Sequence, residues 1–417
     1  MLSMHTSPVA TLGGKETGGM NVYVRELSRE LAALGIAVDI FTRSQNPSAP
    51  RVDTQSLGVK NARVICIPAG PEAPYSKHLL IEHVDEFVAG VRDFAAREDL
   101  HYDAMHAHYW LSGVAARKLQ AEWQDAPIVQ MFHTLGAMKN RVARGVSERE
   151  IDARIAAEAE LMHSVSRVVA STPRDKQQMV ELYGAPAERI AVIPPGVDTA
   201  LFHPVPNARA REWIGAYDEK TVLFVGRIDP VKGIDTWFRA MRLVVEADPS
   251  LRTRMCVCLI GGDMDDDADP DSELTRLEEL KEELGIGDVV TFLGSRAQTS
   301  LPFYYSAADA VVMPSRYESF GLVALEAMAC GTPVVASDVG GLSFIVRAGE
   351  TGFLVPEGDE EAFAACISKI LRHPELRDQL GARGVEVAQD YAWPVIAGKI
   401  AELYREVLSE KERAPAG

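Results

Sequence analysis

Cysteine is scarce in this chain: five occur in 417 residues, Cys66, Cys256, Cys258, Cys330 and Cys366. Their number is odd and they lie mostly in apolar segments. They are expected to be reduced core residues of a cytoplasmic protein, not a disulfide framework. Cys256 and Cys258 share one face of a strand, but no second pair follows to complete a metal site. No apolar run approaches the ~18 residues of a membrane span. Met1 to Pro8 has neither the basic start nor the apolar stretch of a signal peptide. Positive charge is also short: 43 basic residues against 60 acidic ones leave a net charge of −17. That balance excludes a general nucleic-acid or membrane-surface binder. Any phosphate the chain binds must be met by a few cations gathered locally. Internal repeats and low-complexity tracts are missing too. The one acidic run, Asp263 to Glu273, lacks the glycine and terminal glutamate spacing of a calcium loop and reads as a solvated loop.

The length suits two or three domains with sizeable cores. The most informative stretch is Arg316 to Gly341, RYESFGLVALEAMACGTPVVASDVGG. It follows an apolar strand, Ala310 to Ser315, passes through Glu318-Ser319-Phe320-Gly321 into a helix, and ends in a second apolar strand, Pro333 to Ser337. Strand, loop, helix and strand form a crossover unit, which puts the loop at the carboxyl edge of a parallel sheet, where open α/β sheets bind ligands. The amides of Phe320, Gly321 and Leu322 at the helix start can meet an anionic group. Glu326 is the only charge between Phe320 and Gly331, and a carboxylate is a good acceptor for vicinal hydroxyls. A capping carboxylate plus one satisfied buried acid would account for the same residues.

E-S-F-G-L-V-A-L-E-A with G-T-P-V-V-A-S-D-V-G-G resembles the signature of the family 4 retaining glycosyltransferases, which use nucleotide sugars and have the GT-B fold. The resemblance implies an α/β protein of two Rossmann-like domains facing across a cleft. Residues 1–196 would bind the acceptor, residues 197–394 the nucleotide sugar, and residues 395–417 would form a helix crossing back to the first domain. It implies that Glu318 contacts the donor sugar and that Glu326 holds the ribose hydroxyls.

Other segments fit the same pattern. Thr221 to Val225 reads as a buried strand, followed by Gly226-Arg227-Ile228-Asp229-Pro230-Val231-Lys232-Gly233. Arg and Lys five apart on such a loop can grip a diphosphate and neutralise charge that builds on it as a glycosidic bond breaks. G-R-x-x-x-x-K-G matches the family's diphosphate-binding element. Gly261-Gly262 ends another strand and permits close approach of a nucleoside; Arg296 follows the segment that in the family reads the uracil. Near the start, Gly18-Gly19 precede a helix near Val22 to Leu34 and can offer bare amides to a phosphate. Only about four residues precede His5, where a central strand usually has five or six, so the first strand is unusually short or the start is clipped.

H-T-S-P…G-G-M-N-V-Y-V-R-E-L resembles the mycothiol-pathway enzymes that glycosylate inositol phosphate. That likeness implies that Gly18 and Gly19 touch the donor diphosphate and that Asn21 contacts the acceptor. It also implies that Lys77, Tyr109, Thr134 and Arg154 converge on the acceptor's phosphate, with His133 near the reacting hydroxyl and Lys139 a further acceptor-side candidate. Read alone, Arg154 lies on an acidic helix, Glu148 to His163, as an i,i+4 partner of Glu150 or Glu158. His106 and His108 share a face without a third ligand at metal spacing, so no zinc site is expected. The sucrose-phosphate synthases look similar through H-T-L-G-x-x-K, but tend to carry a second Arg where this chain has Ala156.

The expected reaction is transfer of a glucosyl or N-acetylglucosaminyl group from a UDP-sugar, with retention, to a phosphorylated polyol or sugar. No carboxylate pair is placed as an obvious nucleophile and acid couple, so the departing diphosphate is expected to help deprotonate the incoming hydroxyl. No cofactor or metal is required on this reading, and Mg²⁺ stimulation stays open, as does a homodimer. An epimerase of the same fold would release UDP without an acceptor and would not need the phosphate clamp.

Overall fold

The computed structural model describes the chain except residues 11–17, 124, 144, 146–147, 217–219, 263–271 and 414–417. The acidic run read as a solvated loop therefore falls outside the described residues up to Asp271. Ser272 caps the helix Glu273–Glu283, its hydroxyl accepting from the Thr275 amide. The chain divides into two compact units. The first comprises Met1–Ala10, Gly19–Pro195 and the last helix; the second is Gly196–Ala392 together with Gly18.

The first unit is built on strands β1 (Val38–Arg43), β2 (Val52–Asp53), β3 (Ala62–Ile67), β4 (Met105–His108), β5 (Ile128–Met131), β6 (Arg167–Ala170) and β7 (Ile190–Val192). All pair in parallel except the short β2, which runs antiparallel to β3. Between β1 and β4 the first residues of the chain form an isolated bridge in place of a regular strand. Leu2 bridges in parallel to both Phe41 and Ala107, and bonds from the Leu2 amide to the His106 carbonyl and from the Ser3 amide to the Phe41 carbonyl, each 2.9 Å, join β1 to β4. The chain thus winds outward in both directions from its own beginning. The switch point lies at the carboxyl end of that first segment, beside those of β1 and β4.

Both faces of this sheet are covered, which is why β4 and β5 are buried at every residue, His106, His108 and Gln130 included. One face packs on helices Val84–Arg97, Trp110–Gln120 and Pro173–Tyr183. The other packs on Gly19–Ala33 and Trp393–Arg413, through Tyr23, Leu27, Trp393 and Ile400. The last helix starts two residues earlier than Val395, at Trp393, and extends to Arg413. Arg167 on β6 holds Glu410 there. Helix Pro173–Tyr183 shows the local logic. Thr172 accepts from the Asp175 amide at 3.0 Å, Pro173 opens the first turn, and Gly184 closes it at φ +65, a left-handed cap that suits glycine.

The second unit carries β8 (Lys220–Val225), β9 (Met255–Ile260), β10 (Val290–Phe292), β11 (Ala310–Met313), β12 (Val334–Ser337) and β13 (Gly352–Val355). They form one parallel sheet in the order β10-β9-β8-β11-β12-β13. Strand order reverses between β8 and β11, so the switch point of this sheet lies at the loops carrying Arg227 and Glu318. Helix Ile234–Ala247 buries Ile234, Trp237, Phe238 and Met241 on one face, each contributing about 1.5–3 kcal/mol by leaving water.

One cysteine expectation is corrected. Cys256 and Cys258 stand two apart on one face of β9 with Cα atoms 5.7 Å apart, and their sulfurs are joined as a disulfide. That spacing lies within the range such a bond requires. Cys66, Cys330 and Cys366 are free thiols.

Candidate active site

In the second unit the backbone itself draws the loops together. A Cβ on Gly261 would stand 1.8 Å from the Gly226 carbonyl oxygen, and one on Gly233 2.1 Å from that of Pro314. Gly340, at φ +49, would bring a Cβ within 1.9 Å of the Glu318 carbonyl oxygen. These glycines let the loops after β8, β9, β11 and β12 touch along one sheet edge. Asp229 caps the short turn Pro230–Lys232 by accepting from the Val231 amide at 2.9 Å. The Arg316 amide donates to the Val231 carbonyl at 2.8 Å. The turn so held delivers Lys232 to Glu318, with Nζ and Oε2 2.5 Å apart.

Arg227 leaves the same loop half-exposed, 3.8 Å from Asp229. Gly321, at φ +99, starts the helix Leu322–Ala329, and no side chain caps its first turn. Phe320 is buried and Leu322 partly so. Glu326 is enclosed on this helix and accepts from the Tyr305 hydroxyl at 2.7 Å; burial and that carboxylate raise the phenol well above its ordinary range. Arg296 donates to the Tyr304 hydroxyl at 3.1 Å, and the Gly261 amide donates to the Gly294 carbonyl at 3.0 Å. The predicted donor-side residues of this unit therefore share one sheet edge. Gly340→Ala should distort the backbone of Glu318 and cost about 1–2 kcal/mol for the left-handed alanine alone, read as a lower urea midpoint.

In the first unit Gly19 opens the first helix, and Gly18, counted with the second unit, precedes it in sequence. Asn21 is buried and donates to Thr6 Oγ1 and the Ser7 carbonyl, both at 2.7 Å, which fastens the loop after the first segment. Tyr109 and His133 follow β4 and β5 with φ +73 and +61. Such strain in non-glycine residues collects at functional sites. Arg154 reaches both loops. Its Nη1 donates to the Tyr109 hydroxyl at 3.2 Å and its Nη2 to Thr134 Oγ1 at 3.0 Å, with the guanidinium 4.8 Å from the Tyr109 ring centre.

Arg154 also makes the two ion pairs its sequence neighbours offered, to Glu158 at 2.7 Å and to Glu150 at 3.0 Å. Burial opposes its charge, but Tyr109, Glu158 and Glu150 raise its pKa above the ordinary value. The helix is shorter than expected: it runs Asp152–Ser164, because Ile151 is extended at ψ 147, and Glu150 lies before it. Lys139, on helix Gly136–Val142, pairs with Glu150. Lys77 is half-buried, and its charge is felt at both Glu150 and His5.

A histidine cluster backs this site, which the rejected zinc reading left without a role. His133 Nε2 lies 3.1 Å from His108 Nδ1, and His106 Nδ1 2.7 Å from the Tyr404 hydroxyl on the last helix. The His5 ring packs 4.3 Å from that of Tyr109. No group of three metal-ligating side chains is found among the described residues. Burial lowers the pKa of all four histidines, most firmly for the enclosed His106 and His108. Unfolding below pH 6.5 must therefore take up protons, so stability falls with pH from about 6.5 downward, by about 1.4 kcal/mol per pH unit for each net proton. Asp175, pushed up to about 7 by burial, works in the opposite sense but is one group against four. Urea midpoints at pH 7.5 and 5.5 check the sign.

Two α/β units, each with its candidate residues at the carboxyl edge of its sheet, are those of the GT-B fold, and comparison with known proteins makes the chain a glycosyltransferase. Residues 17–201 match the family described as Glycosyltransferase Family 4 and residues 209–387 that described as Glycosyl transferases group 1. The chain is 39% identical to the D-inositol 3-phosphate glycosyltransferase of Acidothermus cellulolyticus, over 99% of this chain and 91% of that one. It is 40% identical to that of Kribbella flavida, over 97% and 94%. Among solved structures it is similar to a sucrose-phosphate synthase from Thermosynechococcus elongatus (36% identity, TM-score 0.88, 98% of both chains). It also resembles an Anabaena protein solved with UDP and glucose (21%, TM-score 0.75, 97% and 99%). The chain belongs to the family 4 glycosyltransferases.

Sequence reading missed Glu150 as a site residue, along with His5, Tyr305 and Tyr183, whose hydroxyl donates to Glu158. A carboxylate four residues before Arg154 was visible as a helix-surface pair, and nothing in its spacing showed that the chain would bury it.

Proposed function

We propose that this glycosyltransferase moves a glucosyl or N-acetylglucosaminyl group from a UDP-sugar, with retention, to a phosphorylated polyol, an inositol phosphate fitting best. The observation that carries the acceptor class is Arg154, buried yet aimed at Tyr109 and Thr134 from a third segment. A guanidinium, a phenol, a hydroxyl and Lys139 nearby make a cradle for a phosphate. The D-inositol 3-phosphate glycosyltransferases to which the chain is similar support the inositol choice. In the second unit Arg227 and Lys232 hold the diphosphate, Glu318 faces the sugar and Glu326 the ribose.

As the bond from the anomeric carbon to the diphosphate oxygen breaks, its electron pair stays on that oxygen, where the two cations stabilise it. The acceptor oxygen attacks the same face and passes its proton to the departing phosphate. His133, kept neutral by burial, orients the acceptor hydroxyl without adding charge. These side-chain cations supply the field, so the scheme demands no metal and is compatible with Mg²⁺ stimulation.

The likeness to a sucrose-phosphate synthase favours fructose 6-phosphate as the second reading. UDP release from UDP-glucose and UDP-N-acetylglucosamine should be measured with inositol 1-phosphate, fructose 6-phosphate, their unphosphorylated forms, or no acceptor. Release that requires a phosphorylated acceptor supports the clamp and separates the two readings. Release with unphosphorylated acceptors alone overturns it, and release with none points to an epimerase or hydrolase.

A further inference from the structure

The acceptor cradle already contains an anion. The Glu150 side chain is almost wholly enclosed, 3% exposed, and its Oε1 takes both Lys139 Nζ and Arg154 Nη1. That same Nη1 donates to the Tyr109 hydroxyl, so the carboxylate stands where the guanidinium, the phenol and the lysine meet. Its other oxygen, Oε2, is buried with no hydrogen-bond partner among the described residues. A buried carboxylate oxygen without a partner is costly, and a residue placed only to brace the two cations would be expected to satisfy both oxygens. Burial alone would push this carboxyl up, yet Arg154, Lys139 and Lys77 hold it at about 2, so it is an anion at every working pH.

We propose that the Glu150 carboxylate is the resident occupant of the acceptor's phosphate position, and that the acceptor binds by exchange with it. This rests on the phosphate-cradle reading above and adds a specificity device to it. The exchange needs only a side-chain rotation. The Glu150 backbone is clipped to Asn140, its amide donating to Oδ1 at 2.7 Å and its carbonyl accepting from Nδ2 at 3.4 Å, and neither bond involves the carboxylate. Arg154 keeps Glu158 and Thr134 throughout, so it is held when Glu150 leaves. A tethered carboxylate competes at high effective concentration. A dianionic phosphate, with more charge and a third oxygen, can displace it; a neutral hydroxyl cannot. Glu150 would thus enforce the choice of phosphorylated over unphosphorylated acceptors, and the cations would not lie bare in an otherwise acidic protein.

The test is calorimetric titration of wild type and Glu150→Gln with inorganic phosphate and with inositol 1-phosphate, with UDP as a control for folding. The amide keeps the shape and one acceptor oxygen but removes the competing charge. Phosphate and inositol 1-phosphate should each bind roughly tenfold tighter or more to the variant, a change of about 1.4 kcal/mol or more, with UDP affinity unaltered. Equal or weaker phosphate binding by Glu150→Gln, with UDP binding intact, overturns the proposal and makes Glu150 a brace for Lys139 and Arg154. A wild type and variant that both fail to bind phosphate overturn it as well. The cradle reading fails on a different result, UDP release indifferent to the acceptor's phosphate. Phosphate-dependent release together with unchanged affinity in Glu150→Gln would sink the exchange alone.

Discussion

Lys232→Ala should lower kcat/KM for the UDP-sugar by roughly 10²–10³-fold, the usual loss when one preorganised charge at a developing anion is removed. Three features put Lys232 there. Its turn is capped by Asp229 and pinned by the Arg316 amide. Its ammonium rests 2.5 Å from Glu318 Oε2. Its strand, β8, borders the switch point of the sheet. Truncation removes the positive end of that pair and leaves Glu318 as an uncompensated negative charge beside an already anionic diphosphate, so the loss exceeds that of one hydrogen bond. The pair is partly exposed, and stability should change by no more than about 1 kcal/mol. Lys232→Arg should recover part of the rate, since the charge returns with a different reach. Initial rates with both variants, beside their melting curves, check this. A fall of less than threefold in Lys232→Ala would remove the residue from the donor site.

Arg154→Met should do two things at once. The Arg154 side chain is 1% exposed and that of Glu158 fully buried, and removing one partner of such a pair typically costs about 3–5 kcal/mol because the other charge is stranded. Glu158 retains the Gly136 amide at 2.9 Å and the Tyr183 hydroxyl, which places the expected loss toward the lower end. The same change removes the donor shared by Tyr109 and Thr134, so KM for a phosphorylated acceptor should rise at least 100-fold if that cation meets the phosphate. Adding Glu158→Gln removes the more deeply stranded of the two carboxylates, since Glu150 keeps Lys139. The double variant should regain most of the stability measured in urea and none of the acceptor affinity. Recovery of both together would show that Arg154 is structural only.

Much of the second unit's site was legible in sequence because it is local. Ala310 to Ser337 encodes a strand, a loop, a helix and a strand in one run. The carboxyl-edge position of Glu318 follows from the right-handed crossover that such a run must make. Gly226 to Gly233 is equally self-contained. What spacing could not show was how Gly261, Gly233 and Gly340 lock these loops together, since each is excused from a side chain by a backbone atom on a remote segment. The pairing of Cys256 with Cys258 is a smaller instance: shared-face placement was visible, and the bond depends on the strand's local geometry.

The first unit divides differently. Its sequence by itself determined the helix after Gly18-Gly19 and the family to which the chain belongs, because these depend on residue pattern over a few turns or on motifs read whole. It also supplied Tyr109, Thr134 and Arg154 as separate candidates, by resemblance. Only the tertiary structure placed Leu2 between β1 and β4, where it bridges to both. Only it brought His5, His108 and His133 behind Tyr109, and only it carried Glu150 inward to Lys139 and Arg154. Those encounters join segments from the start of the chain to Arg154, and they arise from the order in which parallel strands stack. Whether a carboxylate is a solvated helix partner or a buried anion is set by what else packs over it, and no spacing along the chain records that.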